Sequence, residues 1–328
     1  MDPGFALLTI EANAFKRQAL AESTKSTYRS QLNSFLRFCL FFGRPHLPTD
    51  GLTLKCYVAF LARTLNPSSI GGYLNVIRII HLNAGLKNPL LDNWEVAMVK
   101  RGVTRKLGRP PLQKLPITLK ILHSVFELLD FTLAKDLSFW AAALVCFYGL
   151  LRKNTLLPKS ANYKSNAFLI RSDIVEFSKH SFLLKVRQTK TIQFGQRILV
   201  IPFVSCLDES LCPVTFLLRH LVRSPLEGTQ ALFAYIVGGR TISWTHADFV
   251  SCLRSYLVKL GFDPSTYSGH SFRRGGCSAC FEAGLSITEI KLRGDWKSQS
   301  FERYLYVPVS AVYNSARVLA DFAGSKIV

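Results

Sequence analysis

The run from Leu137 to Leu151 constrains the fold more than any other stretch: fifteen residues without a charge, interrupted by the hydroxyl of Ser138. A bilayer crossing takes about 20 apolar residues, so this run falls short of a membrane span. A helix that is apolar on every side has to be covered on every side by its own protein. The run is therefore expected as the buried central helix of a domain. At 328 residues the chain has room for two domains of ordinary size.

Ahead of that helix, Tyr28, Leu32, Phe35, Leu36 and Cys39 recur at helical spacing, with Ser23 and Thr24 as candidate caps and Lys25, Arg29 and Arg37 on the opposite face. Gly43-Arg44-Pro45 ends that helix. Similar patterns follow Thr53, run from Ser69 to Ala84, and start near Asp92 with Trp94 and Met98. No alternation of period two occurs before residue 110, so 1–99 is expected as an all-helical domain of four or five short helices. Lys100, Arg101, Arg105, Lys106 and Arg109, with Gly108 and Pro110-Pro111, predict a basic linker over 100–114. Such a segment tracks phosphates, or serves as a nuclear address.

The pattern restarts at Thr118, and 115–328 is expected as the second domain. After the central helix, Phe168–Arg171, Phe182–Arg187 and Arg197–Pro202 read as strands of a small antiparallel sheet, the last two joined by a turn over Gln188–Gly195. Helices are expected again at Pro213–Val222, Thr245–Leu260, from His270, from the capping box Ser286–Glu289 to Gly294, at Gln299–Tyr306 and at Ser310–Phe322. The expected class is mainly α with a small antiparallel sheet (α+β).

Forty-one Lys+Arg against twenty-one Asp+Glu leave a net charge of +20, spread along the chain. So positive a globular surface fits a polyanionic partner, nucleic acid before an anionic membrane. The eight cysteines sit mostly within apolar segments at irregular spacings, which is the usage of a reduced intracellular protein. Cys277-x-x-Cys280 lacks the second pair of a zinc ribbon and is assigned to the core. Phe5–Ile10 has no basic region before it and is too short for a signal peptide, so a soluble intracellular protein is expected.

Several cationic residues stand at joints between elements. Arg152 follows the central helix in Gly149-Leu-Leu-Arg152-Lys153, and Lys190 lies in the strand-to-strand turn. His270 and Arg273 share one face at a helix start in Tyr267-Ser-Gly-His270-Ser-Phe-Arg273-Arg274-Gly-Gly. Gly294-Asp-Trp296 and Arg303-Tyr304-Leu305-Tyr306 come after them. Each cation alone is an ordinary surface or ion-pair residue. Two arginines, a lysine, a histidine and a late tyrosine together are a set suited to phosphoryl transfer, and no carboxylate cluster of metal-ligand type accompanies them.

These boxes resemble those of the tyrosine recombinases, the phage-integrase and Cre type, from about Ala19 to the C-terminus. Their wording is most similar to recombinases of eukaryotic mobile elements of the DIRS, Ngaro and Crypton kinds. The resemblance implies a helical core-binding domain that clasps DNA opposite a catalytic domain, and double-stranded DNA as partner. It implies catalytic roles for Arg152, Lys190, His270, Arg273, Trp296 and Tyr304, without cofactor, metal or ATP. Tyr304 would attack the phosphodiester to give a 3′-phosphotyrosine, Lys190 would protonate the departing 5′ oxygen, and His270 would assist proton transfer. Trp296 would pack against the site and hydrogen-bond there. DNA contacts are expected from Lys25, Arg29, Lys100, Arg101, Arg105, Lys106, Arg109 and Arg274. A tetramer on DNA, joined through the C-terminal helix, and nuclear work for a mobile element also follow from the family.

Two positions depart from the family pattern. Thr155 stands where many members carry an acidic residue three after the first arginine. The nucleophile usually lies about nine residues after the His/Trp position, whereas Tyr304 is eight and Tyr306 ten beyond Trp296. Arg-Tyr-Leu favours Tyr304, and Tyr306 stays open. The alternative function is a domesticated DNA-binding protein of the same fold that no longer cuts; a relaxing type IB topoisomerase is a third.

Overall fold

The computed structural model describes residues 2–110, 112–163, 168–189, 192, 195–306, 313 and 316–322. Two compact units divide the chain, Met1–Pro111 and Leu112–Val328.

The first unit holds α1 (Pro3–Gln18), α2 (Glu22–Phe41), α3 (Gly51–Ala62), α4 (Pro67–Asn83) and α5 (Trp94–Leu107). Four of these helices begin on a side-chain cap, Asp2, Asp50, Asn66 or Asn93, that accepts an otherwise orphaned backbone N–H. Ser23 and Thr24 do not cap α2. Ala21 holds that place without a side-chain bond, and Glu22 supplies a carboxylate to the positive end of the helix instead. Phe35, Phe38, Tyr57, Ile70, Ile77 and Val96 form the core. The basic stretch expected to be an open linker is mostly α5. Asn93 caps that helix, and Val96, Val99 and Val103 attach one side of it to the core cluster, so the chain stays helical to Leu107.

In the second unit come α6 (Leu119–Phe126), α7 (Ala134–Tyr148), α8 (Lys153–Leu156), β1 (Ile174–Val175), β2 (Ser181–Val186) and β3 (Leu199–Val204). They are followed by α9 (Pro213–Arg223), β4 (Tyr235–Val237), β5 (Arg240–Ile242), α10 (His246–Lys259), α11 (His270–Glu282) and α12 (Ile287–Arg293). A 3-10 turn, Gln299–Tyr304, closes this series, and 316–322 are helical. The expected apolar helix is α7, buried from Leu137 through Phe147. Its buried serine is used: Ser138 donates to the Phe233 carbonyl at 2.6 Å and accepts from the Trp244 indole at 3.1 Å. Among the described residues no helix is long and apolar enough to cross a membrane.

The antiparallel sheet has the order β1-β2-β3, with Leu184 opposite both Ile174 and Ile201. Phe168–Arg171 does not supply a strand. Ile170 makes a single bridge to Ala231, and the chain then tightens into the 3-10 turn Arg171–Asp173. Local polar bonds prevail there: the Asp173 carboxylate accepts the Ile170 N–H and pairs with Arg187 at 2.8 Å. The Arg171 guanidinium turns inward to the Ala234 carbonyl. The hairpin of β4 and β5, turned by Gly238-Gly239 at positive φ, was not among the expected strands, each of its strands being only three residues long.

Helix α11 lies backbone-close to the central helix. A Cβ on Gly276 would stand 2.1 Å from the Phe147 carbonyl oxygen, and one on Gly275 would stand 1.7 Å from that of Ile117. Neither neighbour is a flexible side chain, so the backbone itself would have to move. Gly276→Ala is expected to cost about 1–3 kcal/mol or more by overpacking, read as a fall in the urea midpoint of the full chain. An unchanged midpoint would show that the two helices separate freely.

Candidate active site

Arg273 is the centre of the site. It sits in the first turn of α11, only 2% exposed, and its two terminal nitrogens donate to the carbonyl oxygens of Leu150 and Gly294. Leu150 and Asp295 both have positive φ, +49° and +55°. These are uncommon conformations for residues with a Cβ, and each costs on the order of 1 kcal/mol or more. The strained turns deliver Arg152 after Leu150 and Trp296 after Asp295. A Cβ on Gly294 would overlap the Trp296 ring at 1.8 Å, so only glycine lets the indole fold back there.

The indole meets the guanidinium face, with the carbon of Arg273 3.7 Å from the Trp296 ring centroid. The Tyr304 ring is 5.2 Å from that indole, 5.1 Å from the Arg273 carbon and 6.4 Å from the His270 ring. Leu150, Cys277, Ile290, Trp296 and Phe301 form a small apolar cluster beneath, with Tyr304 packed on it. Cys277 is thus a core residue. Tyr306 lies off this cluster, 47% exposed, its backbone N–H bonded to Ser278.

Positive charge is concentrated here. Burial, and then Arg152, push the Arg273 guanidinium down to about 9. Burial, followed by Lys153, Arg152 and Arg273, lowers His270, which favours its neutral imidazole. Arg152, His270 and Arg273 are therefore near enough to feel one another across segments far apart in the chain. Among the described residues Arg152 is in no ion pair, and Thr155 is buried with its carbonyl accepting the Leu169 N–H. Buried N–H groups without a partner, again among the described residues, include Nε of Arg273, Nε of Arg274 and Nε1 of Trp296. Unspent donors beside stressed cations make a place where an anion gains both hydrogen bonds and charge.

Lys190 lies outside the described residues. Its neighbour Thr189 donates to the Asp295 carboxylate, which also pairs with Arg197, so Thr189 is fastened to the Trp296 loop. Lys153 packs on Gly269 beside His270. Asp295, Arg197 and Lys153 were not singled out from sequence; only position next to a box, in Gly-Asp-Trp and Leu-Leu-Arg-Lys, pointed to two of them.

The expected DNA contacts divide. Arg29, Lys100, Arg101, Arg105, Lys106 and Arg109 are exposed. Lys25 pairs with Glu22 at 2.5 Å on the same helix, a bond that solvent screens. Arg29 and Arg37 line a cleft of about 740 Å³ on the first unit, with Phe38, Phe41, Phe42 and Tyr73. Arg274 is not available to DNA: it is 7% exposed and donates to the Gln113 side chain and, at 2.6 Å, to the Arg303 carbonyl.

Two histidines give the second unit an acid-side weakness. Burial, then the Arg171 charge, push the fully buried His220 down to about 3, and His270 is lowered as well. Free histidine titrates near 6.5, so between that value and its folded one the unfolded chain binds protons that the native chain does not. Stability is whole above about pH 6.5 and declines as pH falls. His220 alone is expected to remove about 1.4 kcal/mol per pH unit in that window; solvent screens His270 more. The check is the urea midpoint from pH 7 to pH 4.5, for wild type against His220→Gln. Parallel curves would contradict it.

Solved structures share this architecture. The Tn1549 transposon integrase in complex with circular intermediate DNA matches over 93% of this chain and 97% of that chain, at 13% identity and a TM-score of 0.57. The same integrase in complex with transposon right end DNA matches over 94% and 98%, at 13% identity and a TM-score of 0.57. A lambda integrase dimer bound to a COC′ core site matches over 92% and 94%, at 14% identity and a TM-score of 0.51. No protein-family model and no curated protein matches the chain. At such identities the likeness is one of fold: mainly helical with a small antiparallel sheet, the chain has the fold of these tyrosine recombinases.

Proposed function

We propose that this chain is a site-specific DNA recombinase that cuts and rejoins strands through a covalent 3′-phosphotyrosine. The observation that carries the proposal is the Tyr304 ring set against His270, Arg273 and Trp296, with the Arg152 charge reaching the same point. Charge grows on the non-bridging oxygens of a phosphodiester under attack. Arg152 and Arg273 bind those oxygens with planar forks, and the Trp296 N–H and neutral His270 add hydrogen bonds. The Tyr304 phenol gives up its proton to neutral His270 as its oxygen forms the new bond to phosphorus, the bond to the 5′ oxygen breaks, and Lys190 protonates that oxygen. The phosphotyrosine ester keeps the bond energy, so the reverse step rejoins DNA without ATP.

The matched integrases are described as bound to DNA, and the basic helices α2 and α5 give this chain a face for the same partner. The substrate we assign is the ends of a mobile element, as the wording of the boxes implies. The decisive experiment is a nicked suicide duplex carrying those ends: a protein–DNA adduct supports the recombinase, and its absence with intact tyrosines leaves the domesticated binder. We further assign assembly to a tetramer through the C-terminal helix, whose Val318 and Leu319 are each 68% exposed. A chain ending at Pro308 is expected to lose the tetramer on DNA in native gels, and normal assembly would reject that role.

A further inference from the structure

Arg274 and Ser278 lie four apart on α11, one turn and two turns beyond His270. These successive positions all meet the tyrosine-bearing segment of the same chain. His270 faces the Tyr304 ring, Arg274 donates to the carbonyl oxygen of Arg303 at 2.6 Å, and the Ser278 hydroxyl accepts the Tyr306 N–H at 2.9 Å. The two polar contacts grip backbone, not side chain, on either side of Tyr304. Both gripping residues are buried, Arg274 at 7% and Ser278 at 6% exposed. Just ahead of both contacts Phe301 anchors the turn in the apolar cluster at 1% exposed. Backbone bonds fix where the tyrosine Cα stands and leave its ring to be aimed by Trp296 and His270.

We infer that Arg274 and Ser278 are positioning residues, a two-point backbone clamp that seats Tyr304 against Arg273 and His270. The inference rests on the recombinase reading and sharpens it. Nothing about an Arg-Arg pair requires this: one guanidinium of Arg273-Arg274 turns to the reacting centre and the other to the nucleophile's backbone. An in-line attack tolerates little misplacement, and a shift of about 1 Å can cost about 100-fold. A lysine at 274 keeps one donor in reach of the Arg303 carbonyl, whereas alanine removes its donor.

The test is single-turnover cleavage of the nicked suicide duplex at saturating DNA, with DNA affinity and melting temperature measured alongside. Ser278→Ala is expected to slow adduct formation about tenfold, Arg274→Lys about tenfold and Arg274→Ala about 100-fold, each with wild-type affinity. Ser278→Ala removes a single hydroxyl and keeps the inference testable should Arg274→Ala fail to fold. Wild-type rates in Ser278→Ala and Arg274→Ala would overturn the clamp while leaving the recombinase standing. Slow rates that track a lowered melting temperature would overturn it too, as a purely structural role. No adduct from wild type would instead remove the recombinase reading itself.

Discussion

Tyr304→Phe is expected to abolish the covalent adduct on a nicked suicide duplex, while Tyr306→Phe keeps it. The phenol oxygen is the only atom removed, and the ring that packs on Trp296 and Arg273 stays, so folding and DNA affinity should hold. The loss should reach the detection limit, because no other group would carry the covalent step. Tyr306 differs in placement: it is half exposed, and its backbone N–H is held by the Ser278 hydroxyl. An adduct that survives Tyr304→Phe and disappears in Tyr306→Phe would move the nucleophile and with it the reading of the site.

Arg273→Lys should lower the cleavage rate by about 100- to 1,000-fold, the range for losing one preorganised charge-stabilising donor. Charge is conserved in this change, so the loss would report geometry. An ammonium is a compact point donor and cannot bridge the Leu150 and Gly294 carbonyls at once, nor lie flat on the Trp296 ring. One of two buried carbonyls would lose its partner, so a lower urea midpoint is expected as well. Cleavage within a fewfold of wild type would mean that Arg273 serves the fold and not the phosphate.

What was legible in the sequence was set by what is local. The apolar run became α7, and Thr245 and Ser286 capped their helices as expected, since periodicity and capping depend on residues a turn apart. The boxes around Arg152, His270, Arg273, Trp296 and Tyr304 could be found as motifs, and the fold brings their described members together. Long-range bonds were not legible. Arg274 looked like a DNA contact until its partners, Gln113 and the Arg303 carbonyl, came from opposite ends of the second unit. Phe168–Arg171 looked like a strand because its pattern is apolar, and only the Asp173 and Arg187 bonds explain why it turns. The basic run 100–107 looked open because its charges hide the valine spacing that holds α5 down.

Arg273 draws its two carbonyl partners from residues 150 and 294, so the loops on which Arg152 and Trp296 ride are joined through a third segment. Such a centre exists only once the whole second unit has closed. A nascent or proteolysed chain that lacks any one of the three cannot assemble this arrangement around Arg273.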